Sequence, residues 1–410
     1  MIKKLKLNNI LRNLWLFALL FAASIADART VEEALETFLS SPSLDRSQTG
    51  LFIWDLEADY RVAAHQAELP VTPASVMKCV TAAALSSRLP YSTSLITNVC
   101  TEGSIRNGVL QGNLVVVGCG DPSLGDGRHK GQPDFPKEIA EALKAKGISA
   151  FEGKVVIDDS RFEGPATHPT WGTTDLSAYY GTGVHAFNYE GNASGKAAVK
   201  DPGAVFKRKL EDAFRAAGIQ HTDTVLDVGN AKRKVLLSHS SPPLANLMQS
   251  CIFRSDNMYA EAFLRLFGVK SGTDGSAAAS AKEAMRYWDA QGFNLDGVEI
   301  VDGSGLSRSN RLTALFLGEM LISKSKDPDF VSFFPLVGEE GTVKGFLSGS
   351  SLQGYLALKT GSMSGIQSYA GYLLDEDFVP THVVVVMTNG LKNRANYRAA
   401  LANFFLSIFR

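Results

Sequence analysis

After Arg29, the first patterned stretch is Val31–Leu39, where apolar positions recur at helical spacing. Gly50–Leu56 and Tyr60–His65 are two short β-rich runs joined by Glu57-Ala58-Asp59, which predicts a hairpin. Pro73-Ala74-Ser75 opens a helix predicted to run to about Arg88, with the proline where its missing N–H costs nothing. From about Ser92 to Leu237 the texture changes to short strands broken by Gly- and Pro-rich turns such as Gly118–Gly127 and Gly164–Trp171, with one clear helix at Pro202–Ala217. Long helical periods return after His239, at Pro243–Cys251, Asn257–Phe267, Ala277–Gln291 and Thr313–Ser323. Three strand runs follow, Tyr355–Lys359, Ser368–Leu374 and His382–Thr388, and then a terminal helix, Asn396–Phe409.

Two strands near the start and three near the end predict one antiparallel five-stranded sheet with the first and last helices on one face. The fold class is therefore α/β of the α+β type, with residues 29–91 and 238–410 forming a discontinuous main domain and residues 92–237 a β-rich inserted domain. At 410 residues and 45% hydrophobic, the chain can bury a large core, and disorder, collagen-like repeats and a multi-span membrane protein are excluded. Near balance between 41 Lys+Arg and 42 Asp+Glu argues against a nucleic-acid surface, which would show a basic excess.

Residues 1–28 need separate treatment. Lys3, Lys4, Lys6 and Arg12 precede an apolar run, Leu14–Ala23, and Ala26-Asp27-Ala28 supplies small residues two apart, which predicts a secretory signal peptide cleaved after Ala28. That run falls far short of the roughly 20 residues needed to span a bilayer, so no integral membrane anchor is expected. No cysteine follows it to carry a lipid. The mature protein should be exported, periplasmic and more acidic than the formal net charge of −1.

Export permits disulfides among the four cysteines, Cys79, Cys100, Cys119 and Cys251. Cys100 and Cys119 sit in neighbouring strand-like runs, and Cys79 and Cys251 each lie beside a motif described below. Four buried thiols behaving as small hydrophobes is the other option, and sequence does not choose. Neither the cysteines nor the seven histidines form a ligand-like cluster, so no metal and no other cofactor is expected.

Three short motifs carry the chemistry. Ser75-Val76-Met77-Lys78 is an S-x-x-K at a helix start, where positions three apart share a face. A lysine in the first turn opposes the helix dipole, which lowers its proton affinity and suits it to act as a base for Ser75. The pattern alone is cheap, since Ser323-Lys324-Ser325-Lys326 matches it too on a polar helix end. Ser255-Asp256-Asn257 begins a helix, where Ser and Asp are also ordinary caps. Lys359-Thr360-Gly361-Ser362 ends a β-rich run, where Gly361 would admit a substrate backbone to an edge strand beside a fixed charge and two hydroxyls. A decoy, Lys270-Ser271-Gly272, follows a helix instead.

S-x-x-K, S-D-N and K-T-G together are the signature of penicillin-binding proteins and class A β-lactamases. The gap from Ser75 to Ser255 is far longer than in a class A β-lactamase. With Asp121-Pro122-Ser123-Leu124, Asp302-Gly303-Ser304-Gly305-Leu306-Ser307-Arg308 and Gly338-Glu339-Glu340-Gly341-Thr342, the chain resembles the class C low-molecular-mass penicillin-binding proteins. These are D-alanyl-D-alanine carboxypeptidase/endopeptidases of the penicillin-binding protein 4 type, and the likeness covers nearly all of the mature chain. It implies a penicilloyl-serine transferase fold and an acyl-enzyme on Ser75, with Lys78 as its base. Ser255 and Asn257 would then relay the proton, and Lys359 with Thr360 and Gly361 would hold the substrate carboxylate. The N–H groups of Ser75 and Ser362 would receive the oxyanion. The implied partners are peptidoglycan stem peptides as substrate and β-lactams as covalent inhibitors.

Asp158, at the end of Val155-Val156-Ile157-Asp158, aligns with an inserted-domain acid that such proteins link to recognising a free amine on the stem peptide. A turn residue capping a strand is the competing view. Asp302–Arg308 could shape the cleft, but Gly-Ser-Gly is also plain turn chemistry, so the segment reads mainly as scaffold. The chain departs from the family between Asn192 and Pro202, where a further insertion is usual and only a few residues stand. Two rivals keep the same fold: a β-lactamase, for which no deacylating acid is identifiable, and a non-catalytic peptidoglycan or β-lactam sensor, which would carry a broken motif. An α/β-hydrolase lacks its G-x-S-x-G elbow at a strand-to-helix turn.

Overall fold

The computed structural model describes residues 31–226 and 231–409; the expected signal peptide, 1–28, lies outside the described residues. A helix over 31–39 (α1) leads to β1 (Thr49–Asp55) and β2 (Tyr60–His65), and a 3-10 turn at Ala74–Val76 runs into α2 (Met77–Ser86). The middle of the chain holds β3 (Ile96–Arg106), β4 (Val109–Val117), α3 (Phe135–Ala145), β5 (Ala150–Glu152) and β6 (Val155–Asp158). It continues through β7 (Ala193–Ser194), β8 (Ala197–Ala198), α4 (Pro202–Ala217), β9 (Gln220–Thr222) and β10 (Lys234–Ser240). Helices α5 (Leu244–Arg254), α6 (Asn257–Lys270), α7 (Ala277–Ala290), α8 (Ala314–Lys324) and α9 (Pro328–Ser332) follow. Strands β11 (Leu356–Met363), β12 (Ile366–Leu374) and β13 (Pro380–Asn389) and helix α10 (Arg394–Ile408) close the chain.

The sheet predicted from both ends of the chain forms, in the order β11-β12-β13-β1-β2, with every neighbouring pair antiparallel. Its centre is the run Val383-Val384-Val385-Val386-Met387, apolar at every position because both faces are covered. Val383, Val385 and Met387 enter one core with residues of α2 and α5–α8. Val384 and Val386 enter the opposite one, with Phe38 of α1 and Tyr397, Leu401, Phe404 and Phe405 of α10. Alternation at period two divides one strand between two cores.

The second sheet runs β10-β3-β4-β5-β9, with β6 also beside β4, and mixes antiparallel with parallel pairs. It builds its own core, in which Leu110, Leu114 and Val116 meet Phe135, Ile139 and Leu143 of α3 and Phe206, Leu210 and Phe214 of α4. Helix α3 is not anticipated by the sequence reading. Pro133 and Pro136 disguise it, yet Asp134 accepts from Lys137 N at 3.2 Å as its cap, and a proline near a helix start is harmless. Strand β10 runs to Ser240, beyond the expected domain limit at 237.

All four cysteines are buried and free. Cys100 pairs in register with Val115 and Val235, whereas Cys119 lies beyond the end of β4 and meets Thr97 Oγ1 at 3.3 Å, so the cross-strand bridge considered above does not form. Cys79 and Cys251 do come within electrostatic reach of each other. Burial pushes each of these thiols up to about 12, which keeps them neutral and unreactive.

Candidate active site

Ser75 stands in the 3-10 turn just before α2 rather than in the helix's own first turn. The reason is the preceding residue. Ala74 has φ 51°, a left-handed conformation that L side chains adopt at a cost of about 1 kcal/mol or more. Two glycines clasp this turn. A Cβ on Gly305 would lie 1.9 Å from Ala74 O, and one on Gly361 would lie 2.6 Å from Pro73 O. Gly361 therefore lets β11 press its edge against the turn that carries Ser75.

Lys78, the second residue of α2, is completely buried, with a relative exposure of 0%. Its Nζ meets Ser75 Oγ at 2.9 Å, Asn257 Oδ1 at 2.7 Å and the Ser304 carbonyl at 2.6 Å, one partner for each ammonium proton. Burial lowers its proton affinity, and Cys251, Asp302, Glu261 and Asp256 act in the opposite direction.

The Ser255-Asp256-Asn257 segment is a junction between two helices. Ser255 terminates α5 in the left-handed region, with φ 59° and ψ 43°, and Asp256 caps α6 by accepting from Tyr259 N at 3.1 Å. The sharp reversal turns Ser255 Oγ toward β11 and Asn257 toward Lys78. Asn257 is fixed from its other end, where Nδ2 donates to the Tyr180 carbonyl at 2.7 Å.

Lys359 Nζ donates to Ser255 Oγ at 2.8 Å and to Thr360 O at 2.6 Å. It too is fully buried, and burial first, with the Lys78 charge second, brings its pKa down to about 7. Thr360 Oγ1 donates to Thr342 Oγ1 at 2.7 Å. These residues lie within β11 rather than at its end as expected, and β11 is an edge strand whose outer side faces the site. Ser362 is exposed there and opposes Gln367 in the ladder with β12.

Ser75, Lys78, Ser255, Asn257, Lys359, Thr360 and Gly361 thus converge, linked by direct bonds or close backbone contact. Asp158 is not among them: Arg233 Nη1 lies 2.5 Å from its Oδ2, and Ser160 donates to its Oδ1 through Oγ at 2.6 Å and through N at 3.2 Å. Among the described residues, no group of three or more His, Cys, Asp or Glu is placed to hold a metal ion.

Two groups at the site, Glu261 and Arg128, escape the sequence reading, and a third, Asp302, does more there than a scaffold turn. Glu261, one turn along α6 from Asn257, is buried and accepts from Gly303 N at 3.2 Å and Ser304 N at 2.8 Å; burial, then the Asp302 charge, raises it to about 7. Its i, i+4 spacing from Asn257 was a usable signal. Asp302 organises the loop treated as scaffold, and that loop delivers the Ser304 carbonyl to Lys78. Arg128, from the insert, meets Asp256 Oδ2 at 2.5 Å and Asp126 Oδ2 at 2.8 Å while lying over the Tyr259 ring at 4.5 Å, and no local pattern marked it.

The sequence model of the D-Ala-D-Ala carboxypeptidase 3 (S13) family matches residues 31–197 and 187–405. A carboxypeptidase DacB of Mycolicibacterium smegmatis is 27% identical over 375 residues, covering 85% of this chain and 77% of its own. The D-alanyl-D-alanine carboxypeptidase DacB of Haemophilus influenzae is 24% identical over 405 residues, covering 80% of this chain and 82% of its own. Penicillin binding protein 4 (dacB) from Haemophilus influenzae superposes with a TM-score of 0.77 at 22% identity, over 91% of this chain and 97% of that one, a likeness that shows the fold. That protein has also been solved complexed with a β-lactam.

Proposed function

The chain belongs to the D-Ala-D-Ala carboxypeptidase 3 (S13) family, and from that premise we propose how its residues divide the work. The enzyme is a serine-type D-Ala-D-Ala carboxypeptidase. Ser75 Oγ attacks the penultimate D-Ala carbonyl carbon and Lys78 Nζ takes its proton. The resulting oxyanion rests on the N–H groups of Ser75 and Ser362. Collapse breaks the C–N bond, the leaving D-Ala amine takes the proton held by Lys78 through the Ser255 hydroxyl while Asn257 orients Lys78, and water then releases the shortened peptide from Ser75.

The observation that carries this reading is the contact of a fully buried lysine amine with Ser75 Oγ at 2.9 Å. Lys359, with the Thr360 and Thr342 hydroxyls beside it, receives the terminal carboxylate. An anion there restores the positive charge that burial weakens. The stem peptide lies along the outer side of β11 as an added strand. Cleavage of a peptide joined to a neighbouring stem, the endopeptidase reaction, would proceed through the same acyl-enzyme on Ser75. Recognition of a stem amine by Asp158 requires that amine to displace Arg233.

A β-lactam presents the same carbonyl and carboxylate and acylates Ser75. Rapid hydrolysis would need a free acid to activate water. Asp256, Glu261 and Asp302, the carboxylates that bear on Lys78, are each committed to backbone N–H groups, which favours a trapped adduct over β-lactamase turnover. The enzyme acts on peptidoglycan after export to the periplasm with cleavage after Ala28; among the described residues no helix is long and apolar enough to cross a membrane. Mass spectrometry of the intact protein incubated with a penicillin tests the assignment. A single adduct is expected on the peptide containing Ser75 and none in Ser75→Ala; an adduct elsewhere, or none in the unaltered protein, overturns it.

A further inference from the structure

Asp302 is completely buried, with a relative exposure of 0%, and touches none of the reacting atoms. Four donors saturate its carboxylate. Oδ1 accepts from Gly305 N at 2.8 Å and Asn310 Nδ2 at 2.7 Å, and Oδ2 accepts from Ser307 N at 2.6 Å and Trp171 Nε1 at 2.9 Å. All four contacts come from N–H donors, so the carboxylate acts purely as an acceptor. The first of those donors matters most. The peptide unit joining Ser304 to Gly305 is engaged at both ends: its N–H points at Asp302, and its carbonyl accepts from Lys78 Nζ at 2.6 Å. A negative charge at the N–H end of an amide pushes electron density toward its oxygen, and hydrogen bonds chained in this way strengthen one another.

We propose that Asp302 is a positioning residue that acts on Lys78 through the Ser304–Gly305 peptide, holding the amine toward Ser75 and setting how firmly it keeps the proton it receives. The arrangement matches a base oriented by a carboxylate, with a backbone amide in the middle position. It leaves no room for a side chain at Gly305, whose φ is 79° and whose Cβ would strike Ala74 O. Trp171 brings the insert into the same chain of bonds, because its indole reaches Asp302 from the middle of the sequence. The other charged or titratable groups facing Lys78 are Cys79 of α2, Cys251 of α5, Asp256 at the α5–α6 junction, Glu261 of α6 and Lys359 of β11. Asp302 alone among these bonds the peptide whose carbonyl Lys78 holds.

The inference rests on Lys78 being the base for Ser75, and the test separates the two. The rate of Ser75 acylation by a penicillin is measured across pH for the unaltered protein, Asp302→Asn and Trp171→Phe, with thermal melting alongside. In Asp302→Asn the optimal rate is expected to fall roughly tenfold to a hundredfold. Its acid limb moves to lower pH, because the ammonium loses the polarised acceptor that supports it. Trp171→Phe keeps the carboxylate and removes one of its donors, which concentrates negative charge on the remaining bonds, so the acid limb moves the other way. A merely structural role lowers rate and melting temperature together and moves neither limb. Unmoved limbs, or limbs moved in the same direction, overturn the proposal. If Asp302→Asn does not fold, Trp171→Phe decides alone, and an unmoved limb overturns it. An unaltered protein that is never acylated on Ser75 fails the base assignment itself.

Discussion

The site contains two lysine niches that share complete burial and differ in what surrounds the charge. Lys78, near the start of α2, has three acceptors at 2.6–2.9 Å and feels the carboxylates of Asp302, Glu261 and Asp256. Lys359, on the edge strand, has one hydroxyl and one carbonyl, and the charge that acts on it most strongly is that of Lys78. Burial works against the charged form in both, but the first niche answers it from within the protein. The second does not, and under the proposed function the substrate carboxylate would supply the answer. The two roles proposed above, base for Lys78 and carboxylate receptor for Lys359, thus rest on the neighbours of each lysine and not on the residue itself.

The largest way to break this comparison is Lys78→Ala. Acylation by a penicillin, followed by mass spectrometry or stopped flow, should fall roughly a thousandfold, within the usual range for loss of a general base. Lys359→Ala should cost roughly a hundredfold in kcat/KM on a peptide ending in a free carboxylate, and much less on the same peptide ending in an amide, because the lost contact is a charge-assisted bond. Equal losses on the two peptides would remove the carboxylate from the second niche.

Gly361→Ala tests whether the two niches must be pressed together. Its Cβ would lie 2.6 Å from Pro73 O and 3.1 Å from Ser75 N, and both are backbone atoms that yield poorly. A loss of about 1–3 kcal/mol in unfolding free energy is expected, together with slower acylation. Unchanged values on both counts would show that β11 has slack.

The smallest effect sharpens the contrast most. Lys359→Met keeps the apolar stem and removes the charge, and in thermal melting the unliganded protein should become more stable. The sign follows from the lowered pKa. With a folded value of about 7 against an ordinary 10.5, the burial penalty is full below pH 7 and fades as pH rises toward 10.5. The gain in melting temperature should therefore be greatest at or below neutral pH and shrink in alkali. A gain that is flat across pH, or grows in alkali, would contradict it.

Much of this was readable along the chain. Lys78 stands three residues after Ser75, and the β-rich period of Tyr355–Lys359 already set Lys359 apart from the helix-bound Lys270. The five strands of the first sheet and most long helices were legible for the same reason, since period two or 3.6 persists wherever a face is buried. Helix α3 was not, because prolines at 133 and 136 resemble a loop locally while its stripe of Phe135, Ile139 and Leu143 acquires meaning only against α4 and β4. Asp302 reads mainly as scaffold in the sequence because an acid before Gly-Ser-Gly looks like a turn, and the four donors that fix its carboxylate come from residues 171 to 310.

The two S-x-x-K matches show where the boundary lies. Residue types, their spacing and the order of three motifs were determined by the sequence, and they sufficed to indicate a serine acyl-transfer site. Motif order and a polar context already set Ser323 apart from Ser75, and the tertiary structure shows why the two differ physically. Ser323 Oγ donates back to Met320 O at 2.7 Å, and Lys326, the lysine of that match, is exposed in the turn that follows α8. Lys78 is instead enclosed by α6, the Ser304 loop and β11. Helical periodicity is a property of neighbouring residues, whereas the dielectric and charge around an amine sum over groups brought together from distant parts of the chain.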